Sequence, residues 1–498
     1  MRKIKEPQMR LGAVDISQIK FDLRSRDEIP KLLMGLQYIY CTREVREEVF
    51  KILEGIVPAG TDRNNGRRGM DLWKILVLGT IRLNCNWDYD KLQEIANNHR
   101  TLRLMLGHGI VDSNRYALQT LKDNVSLLTP ELLDRINAVV IKAGHNLVGK
   151  KKEENLRGRC DSFVLETDVH YPTDINLLFD AVRKVITLIA ALCGAAGLAG
   201  WRQSSHNIRK VKKLFRRVQN LKRSNAKDEK KKAEREGLIV AAHEAYLKLV
   251  GSFLERVEKS VATLREKGLA TEEQLAEVER YMSHARRQMD QIGRRVVAGE
   301  KIPHDEKVFS IFEEHTEWIS KGKAGVPQEL GLRVCVLEDQ YGFVLYHHVM
   351  QQQTDDRVAL LMVEEARRRF PALNSCSFDK GFYSPVNRKE LQQRLDHVIL
   401  PKKGKLSLRD KEHESSEVFV AGKRKHSGVE SAINALENHG LDRCPDHGLD
   451  GFQRYVALAV LARNIQILGH KLQQKKVRSE KRIEKLGRRK QESQRQAA

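Results

Sequence analysis

Three acids far apart in the chain, Asp161, Asp379 and Glu430, are of a type that could do metal-assisted chemistry together. Carboxylates are hard oxygen donors. They suit Mg²⁺, which keeps several of its own waters, so a few are enough to hold it. Two such ions about 3.5–4 Å apart stabilise both the attacking and the leaving oxygen of an in-line displacement at phosphorus. No protein nucleophile is needed: water would attack in cleavage, and a nucleic-acid 3′-hydroxyl in joining. Each acid has rivals. Asp168 and Asp174 stand near the first, and Glu437 lies one residue off two helical turns from Glu430.

The elements around these residues decide whether they can meet. Ser162–Tyr171 alternates as a strand does, with Asp161 at its start and Pro172 to end it. A helix follows over about 175–193. Strand patterns return at 332–337 and 342–348 around a hairpin turn, and a helix spans about 355–369. A short strand, 375–378, leads into Asp379. Then come a helix at about 386–395, a strand at 397–400, a polar Lys-rich stretch at 401–423, a helix at 427–438 bearing Glu430, and a helix at 451–472. A ribonuclease H-like core would show this order. Its first Asp lies on the central strand, the second at the end of a neighbouring strand, and the Glu on a later helix.

Outside that core the chain reads as helical. Met70–Leu83 is strongly apolar, Trp87–His99 has an apolar face and a capping residue in Asp88, and Tyr116–Leu128 follows. Compact helices with short turns suit a helix-turn-helix DNA reader, or a bundle that touches no DNA. Between the first two acids, residues 202–223 carry nine Lys and Arg and no acid. Apolar stripes at Leu254–Leu264 and Leu275–Met282 flank a turn at 268–271, which predicts an inserted helical hairpin or bundle. His315, Lys321 and Lys323 are further candidates to track a DNA backbone. Trp318 reads as core before it reads as a stacking platform, and His170 as a packed strand residue.

Lys and Arg outnumber Asp and Glu by 89 to 66, and the formal net charge is +23. Nucleic acid is the commonest large polyanion able to offset such an excess, although an anionic membrane surface or ribosomal RNA would also do so. The seven cysteines are scattered and show no zinc-ligand spacing, which fits reduced thiols. The N-terminal residues lack a signal-peptide pattern. The apolar run Val185–Gly200 is shorter than the roughly 20 residues that span a bilayer.

The acidic motifs resemble those of insertion-sequence transposases. Asp161 to Asp174, DSFVLETDVHYPTD, is similar to the family's first motif, DTTVVE, an Asn, then IHYPTD. Its leading Asp falls on Asp161, and the family more often has Asn where Asp168 stands. Phe378 to Ser384 resembles the second motif, D-x-G-[YF], and Lys423 to Glu437 the third. The continuations HGLDRC and GFQRYVALAVLARNIQILG, and the upstream NGRRGMDLWKILVLG and NNHRTLRLMLG, also resemble the family. The resemblance runs from about residue 10 to 472 and is closest to the ISNCY group of bacterial elements. The third motif departs from the wider pattern of Tyr, Arg, Glu and Lys: Lys423, His426, Glu430 and Glu437 fill those places.

The sequence therefore predicts a mixed α/β multidomain protein: a helical N-terminal domain over 1–150, put forward for DNA binding; a ribonuclease H-like mixed-sheet catalytic core in two parts, 155–185 and 325–472; a basic helical insertion over 186–320; and a basic tail over 473–498, disordered or helical only on binding. The resemblance implies a DDE transposase that cuts DNA at an element's ends and transfers the strands to a target. Asp161, Asp379 and Glu430 would be its catalytic metal ligands, with Mg²⁺ as cofactor and Mn²⁺ able to substitute. Arg209, Lys210, Lys212, Lys213, Arg216, Arg217, Lys380, Arg424 and His426 are the candidate DNA contacts, and Asp168 and Glu437 the alternative acids. Double-stranded DNA is the expected partner, with a homodimer holding two ends, no membrane, and a cytoplasmic, nucleoid-associated location. The alternatives are a non-catalytic DNA-binding descendant and a Mg²⁺-dependent nuclease that cannot join ends.

Overall fold

The computed structural model describes residues 2–5, 14–58, 60, 69–109, 112–223, 229–320 and 328–497, with only the backbone of 229 and 486–497. Residues 65–68, which carry part of the N-terminal resemblance, and Lys321 and Lys323 lie outside the described residues. The chain forms two compact units. One joins Met1–Asp168 to Ile319–Ala498, and the other is Val169–Trp318.

The first unit opens with helices α1 (Glu28–Cys41), α2 (Arg43–Leu53), α3 (Leu72–Asn84), α4 (Tyr89–Asn98), α5 (Arg100–Met105), α6 (Leu118–Val125) and α7 (Pro130–Val148). Helix α3 is buried almost all round, which accounts for its uniformly apolar sequence. Its one Arg, Arg82, is buried with it and reaches Asp446 at 2.7 Å. Asp88 caps α4 as its spacing predicts, accepting from the Lys91 amide. The strand β1 (Leu156–Thr167) then leads out of this unit.

The second unit holds α8 (Asp174–Ala195), α9 (Ser204–Arg223), α10 (Glu229–Glu266) and α11 (Glu272–Ile292). Their apolar stripes close a core of their own, from Ile175 and Leu178 on α8 to Tyr246, Val257, Leu275 and Val278 on α10 and α11. The insertion thus begins at Val169 and not at 186, because α8 buries its apolar face among these helices. The turn expected at 268–271 contains Gly268 at φ +59°, which only glycine adopts freely, and Thr271 caps α11. Lys230–Glu266 is long and apolar enough to cross a membrane by length and composition, and its stripe contributes Tyr246, Val250 and Val257 to this core.

Back in the first unit follow β2 (Glu317–Ser320), which reaches it from the boundary, β3 (Gln328–Glu338), β4 (Val344–Met350), α12 (Asp355–Arg369), β5 (Leu373–Phe378), α13 (Pro385–Arg394), β6 (His397–Ile399), α14 (Leu408–Ser415), α15 (Glu417–His426), α16 (Gly428–Leu436), β7 (Arg443–Cys444) and α17 (Gly448–Ala497). The sheet runs β2-β3-β1-β5-β6, with β4 also on β3 and β7 also on β1. β3 is antiparallel to β1 and β4, while β5 and β7 run parallel to β1, and β6 parallel to β5. One face of β1, with Phe163 and Leu165, packs on α16, α17 and the N-terminal helices. The other, with Leu156 and Cys160, packs on α12.

Four expectations change. β1 begins six residues before Ser162, so Asp161 lies mid-strand: β3 and β5 flank it and impose extended structure on Leu156–Cys160. The helices of residues 1–150 share one core with the sheet and α17 instead of forming a domain of their own. At the α1–α17 crossing a Cβ on Gly469 would meet the Lys31 carbonyl oxygen at 1.8 Å, so only glycine permits that approach. The polar stretch 401–423 contains α14 and most of α15. Helix α17 continues through the basic tail to Ala497.

Candidate active site

A break along one edge of β1 forms the site. β5 accompanies β1 as far as the pair Cys160↔Phe378 and then ends, and β7 joins only at Glu166↔Arg443. Asp161 and Asp379 are the next residues on two adjacent parallel strands, at the mouth of that gap. Parallel neighbours lie about 4.8 Å apart, so the register sets the two residues side by side along the backbone. Asp161 shares its face of the strand with Phe163 and Leu165, and this is the face α16 covers with Val429, Ile433 and Leu436. Glu430 stands in the first turn of α16, next to Val429.

Asp161 is half-buried, whereas Asp379 and Glu430 are exposed. The Ser162 amide donates to Asp161 Oδ1 at 2.8 Å and fixes its rotamer. Burial, with the charges of Asp379, Asp355 and Glu430, pushes the Asp161 carboxyl up to about 6, against the pull of that amide. Like charges raise a carboxyl only when they are near, so these acids share one electrostatic neighbourhood. By donor type the group fits a hard divalent cation, since it offers carboxylate oxygens and no thiolate. Among the described residues, however, no three His, Cys, Asp or Glu side chains are gathered tightly enough to hold an ion as they stand.

The other predicted residues divide by position. His426 ends α15 beside the acids: its Nδ1 lies 3.1 Å from Ser377 Oγ, and its charged form is disfavoured by burial, then favoured by Asp379 and disfavoured by Arg159. Lys380 is exposed in the turn directly after Asp379, and Arg424 is exposed on α15. The alternative acids lie at the far end of β1. Asp168 is exposed and 3.8 Å from Arg443, and Glu437 lines a cavity with Glu166, Asp442 and Arg443. Seven residues of strand separate Asp168 from Asp161, roughly 23 Å. In the second unit Arg209, Lys210, Lys212, Lys213, Arg216 and Arg217 all lie exposed along α9, while Val211 and Val218 bury the opposite face. His170 is exposed and bonded to Asp180 at 2.5 Å, so it is not a packed strand residue. Trp318 is partly buried against Phe309 and Tyr171.

Two neighbours of the acids escape a reading of the sequence. Arg159, one turn of the pleat before Asp161, pairs with buried Glu338 at 2.8 Å and reaches the carbonyls of Asp339 and Lys425. It ties β1 to the α15–α16 joint from which Glu430 projects. Asp355 starts α12 and accepts from the Ser162 hydroxyl at 2.6 Å. Neither carries a motif; only strand pairing reveals them.

Residues 299–465 match a family model described as a transposase DDE domain. That segment contains Asp379 and Glu430 and starts well after Asp161. No curated protein and no solved structure matches the chain.

Proposed function

We propose that this chain is a DDE transposase, cutting DNA at the ends of a bacterial insertion sequence of the ISNCY group and joining them to a target. The observation that carries the reading is the parallel register of β1 and β5, which sets Asp161, outside the segment that matches the transposase domain, beside Asp379 within it. The sheet supports it too: antiparallel β4, β3 and β1 followed by parallel β5 and β6 is the order of a ribonuclease H-like core, with the first Asp on its central strand.

In this reading Asp161, Asp379 and Glu430 hold two Mg²⁺ ions, or Mn²⁺ in their place. Ions so held supply charge stabilisation at both ends of an in-line phosphoryl displacement. Asp161 is the fixed member, locked by the Ser162 amide in the middle of the sheet. Asp379 and Glu430 sit at the end of a strand and the first turn of a helix, open to the DNA side. His426 lies beside the acids, Lys380 follows Asp379 in the chain and Arg424 is exposed on α15, and the three would meet the phosphates next to the scissile bond. The α9 cations make no ion pair with an acid among the described residues, which leaves them available to neutralise backbone phosphates. Simultaneous capture of two DNA ends calls for a homodimer, and the work belongs in the cytoplasm, at the nucleoid.

The test is incubation of the full-length protein with Mg²⁺ and duplexes carrying the ends of the DNA segment that encodes it. Cleavage at the ends followed by joining to a second duplex is expected. Binding without cleavage would replace the reading with a DNA-binding descendant, and cleavage without joining with a nuclease.

A further inference from the structure

We propose that a cavity of about 510 Å³ in the first unit, walled by α1, α16, α17 and the end of β3, is a phosphate-binding site. Its source of phosphate rests on the function proposed above, which makes it the backbone of a DNA strand. Four cations line the cavity, Lys31, Arg159, Arg463 and Lys471, against two acids, Glu28 and Glu338. Both acids are already engaged. Glu28 pairs with Lys31 at 3.1 Å, and Glu338 with Arg159 at 2.8 Å. Arg463 and Lys471 are left over. Among the described residues neither makes an ion pair: Arg463 donates to Gln466 at 2.7 Å, and Lys471 lies over the Phe343 ring at 5.7 Å. Both are half-buried on α17, where burial disfavours their charged forms.

Partial burial of a cation without a partner costs stability. Packing on α17 does not call for that cost, since an uncharged Gln or Met fills the same space. An anion entering the cavity removes it at both residues. Phosphate suits the pair, because a guanidinium offers a planar fork of donors and an ammonium a compact charge. The mostly polar lining also sets this cavity apart from the apolar pockets that take small organic ligands. Glu338 opposes an anion only weakly near neutral pH, because burial, against the pull of Arg159, pushes its carboxyl up to about 7. Two of the lining residues tie the cavity to the acids. Arg159 stands two residues before Asp161 on β1, and Gly428 two before Glu430 on α16. A phosphate seated here therefore belongs to a strand that passes the acids.

The test uses the full-length protein, a labelled duplex titrated at several salt concentrations, and calorimetry with inorganic phosphate and a nucleoside monophosphate. The double variant Arg463→Gln, Lys471→Gln is expected to bind the duplex about 10–100-fold more weakly. The slope of log K against log salt should fall by about 0.9 for each phosphate released, and thermal stability without DNA should be unchanged or raised. Ser431→Leu fills the cavity and leaves every charge in place, so it should reproduce the weakening. Weakening in the double variant alone would show long-range attraction and overturn the site. Saturable uptake of the nucleoside monophosphate, abolished in both variants, would keep the phosphate site and make its source a free ester. Duplex binding and salt slope unchanged in both variants, with no uptake of either small anion by the parent, would overturn the site and leave the function standing if the parent cuts DNA. A parent that binds no duplex and yet takes up the monophosphate here would refute the function and keep the site.

Discussion

Replacing Asp161 by Asn should make the metal-free protein more stable near neutral pH, although it removes a proposed catalytic group. The native carboxyl titrates at about 6 against 3.8 for a free side chain, so at pH 8 its ionised form is held at a cost. A shift of about two units corresponds to about 3 kcal/mol at most, and partial exposure to solvent reduces this to about 1–2 kcal/mol. Asn keeps the bond from the Ser162 amide and carries no charge. The folded pKa is the higher one, so the native state binds the extra proton between about pH 4 and 6. The parent's relative stability from this group is whole below about 4 and is lost as pH rises through 6. Urea or thermal unfolding of both proteins in chelator, from pH 4 to 8, should give midpoints that coincide at the acid end and separate in favour of Asn above pH 6. Millimolar Mn²⁺ should stabilise the parent more than the variant. A variant less stable than the parent at pH 8, or a gain independent of pH, would refute the burial of the Asp161 carboxyl among like charges.

Other outcomes follow from particular residues. Gly469→Ala drives a Cβ into the Lys31 carbonyl at the α1–α17 crossing, and should lower stability by about 1–3 kcal/mol in chemical denaturation. Neutralising the six exposed α9 cations should flatten the salt dependence of duplex binding, by up to about 0.9 in slope of log K for each phosphate no longer neutralised, while leaving the unfolding midpoint nearly unchanged. An unaltered slope would make α9 a solvated face. Cys160, Cys335 and Cys376 are fully buried with thiols pushed up by that burial, so a thiol reagent should reach exposed Cys41 in the native protein and those three only on unfolding.

The sequence was most legible where local pattern and tertiary demand agree. Helix α12 occupies the predicted 355–369, because an apolar stripe, two acids at its start and three arginines at its end all point the same way. The first half of β1 was hidden for the opposite reason. Leu-Arg-Gly-Arg has little strand character, and Gly158 leaves room for Leu337 and Cys376 of the flanking strands, which a Cβ there would meet at 3.0 and 3.2 Å. At the other end the alternation runs on to Tyr171, yet pairing with β3 stops at Glu166↔Gly331. Helices α14 and α15 leave little trace in the sequence of 401–423 because little apolar surface marks them. Ser407 and Asp410 form a capping box, and Lys402, with Ser407 and Arg388, holds the Asp410 carboxyl well below the usual range. Phe419 supplies the buried anchor of α15. Asp161, Asp379 and Glu430 stand out as candidates by spacing and motif, whereas Asp355 reads only as the start of a helix. Its relation to Ser162 depends on the register of a strand 193 residues away.

The central claim is that Asp161, Asp379 and Glu430 act as one catalytic group on DNA. Cleavage of element-end duplexes by Asp161→Asn, Asp379→Asn and Glu430→Gln, each compared with its own DNA binding, tests it most directly. Each variant should bind nearly as the parent does and lose cleavage by several orders of magnitude. Cleavage that survives in Asp161→Asn and disappears in Asp168→Asn would contradict the assignment.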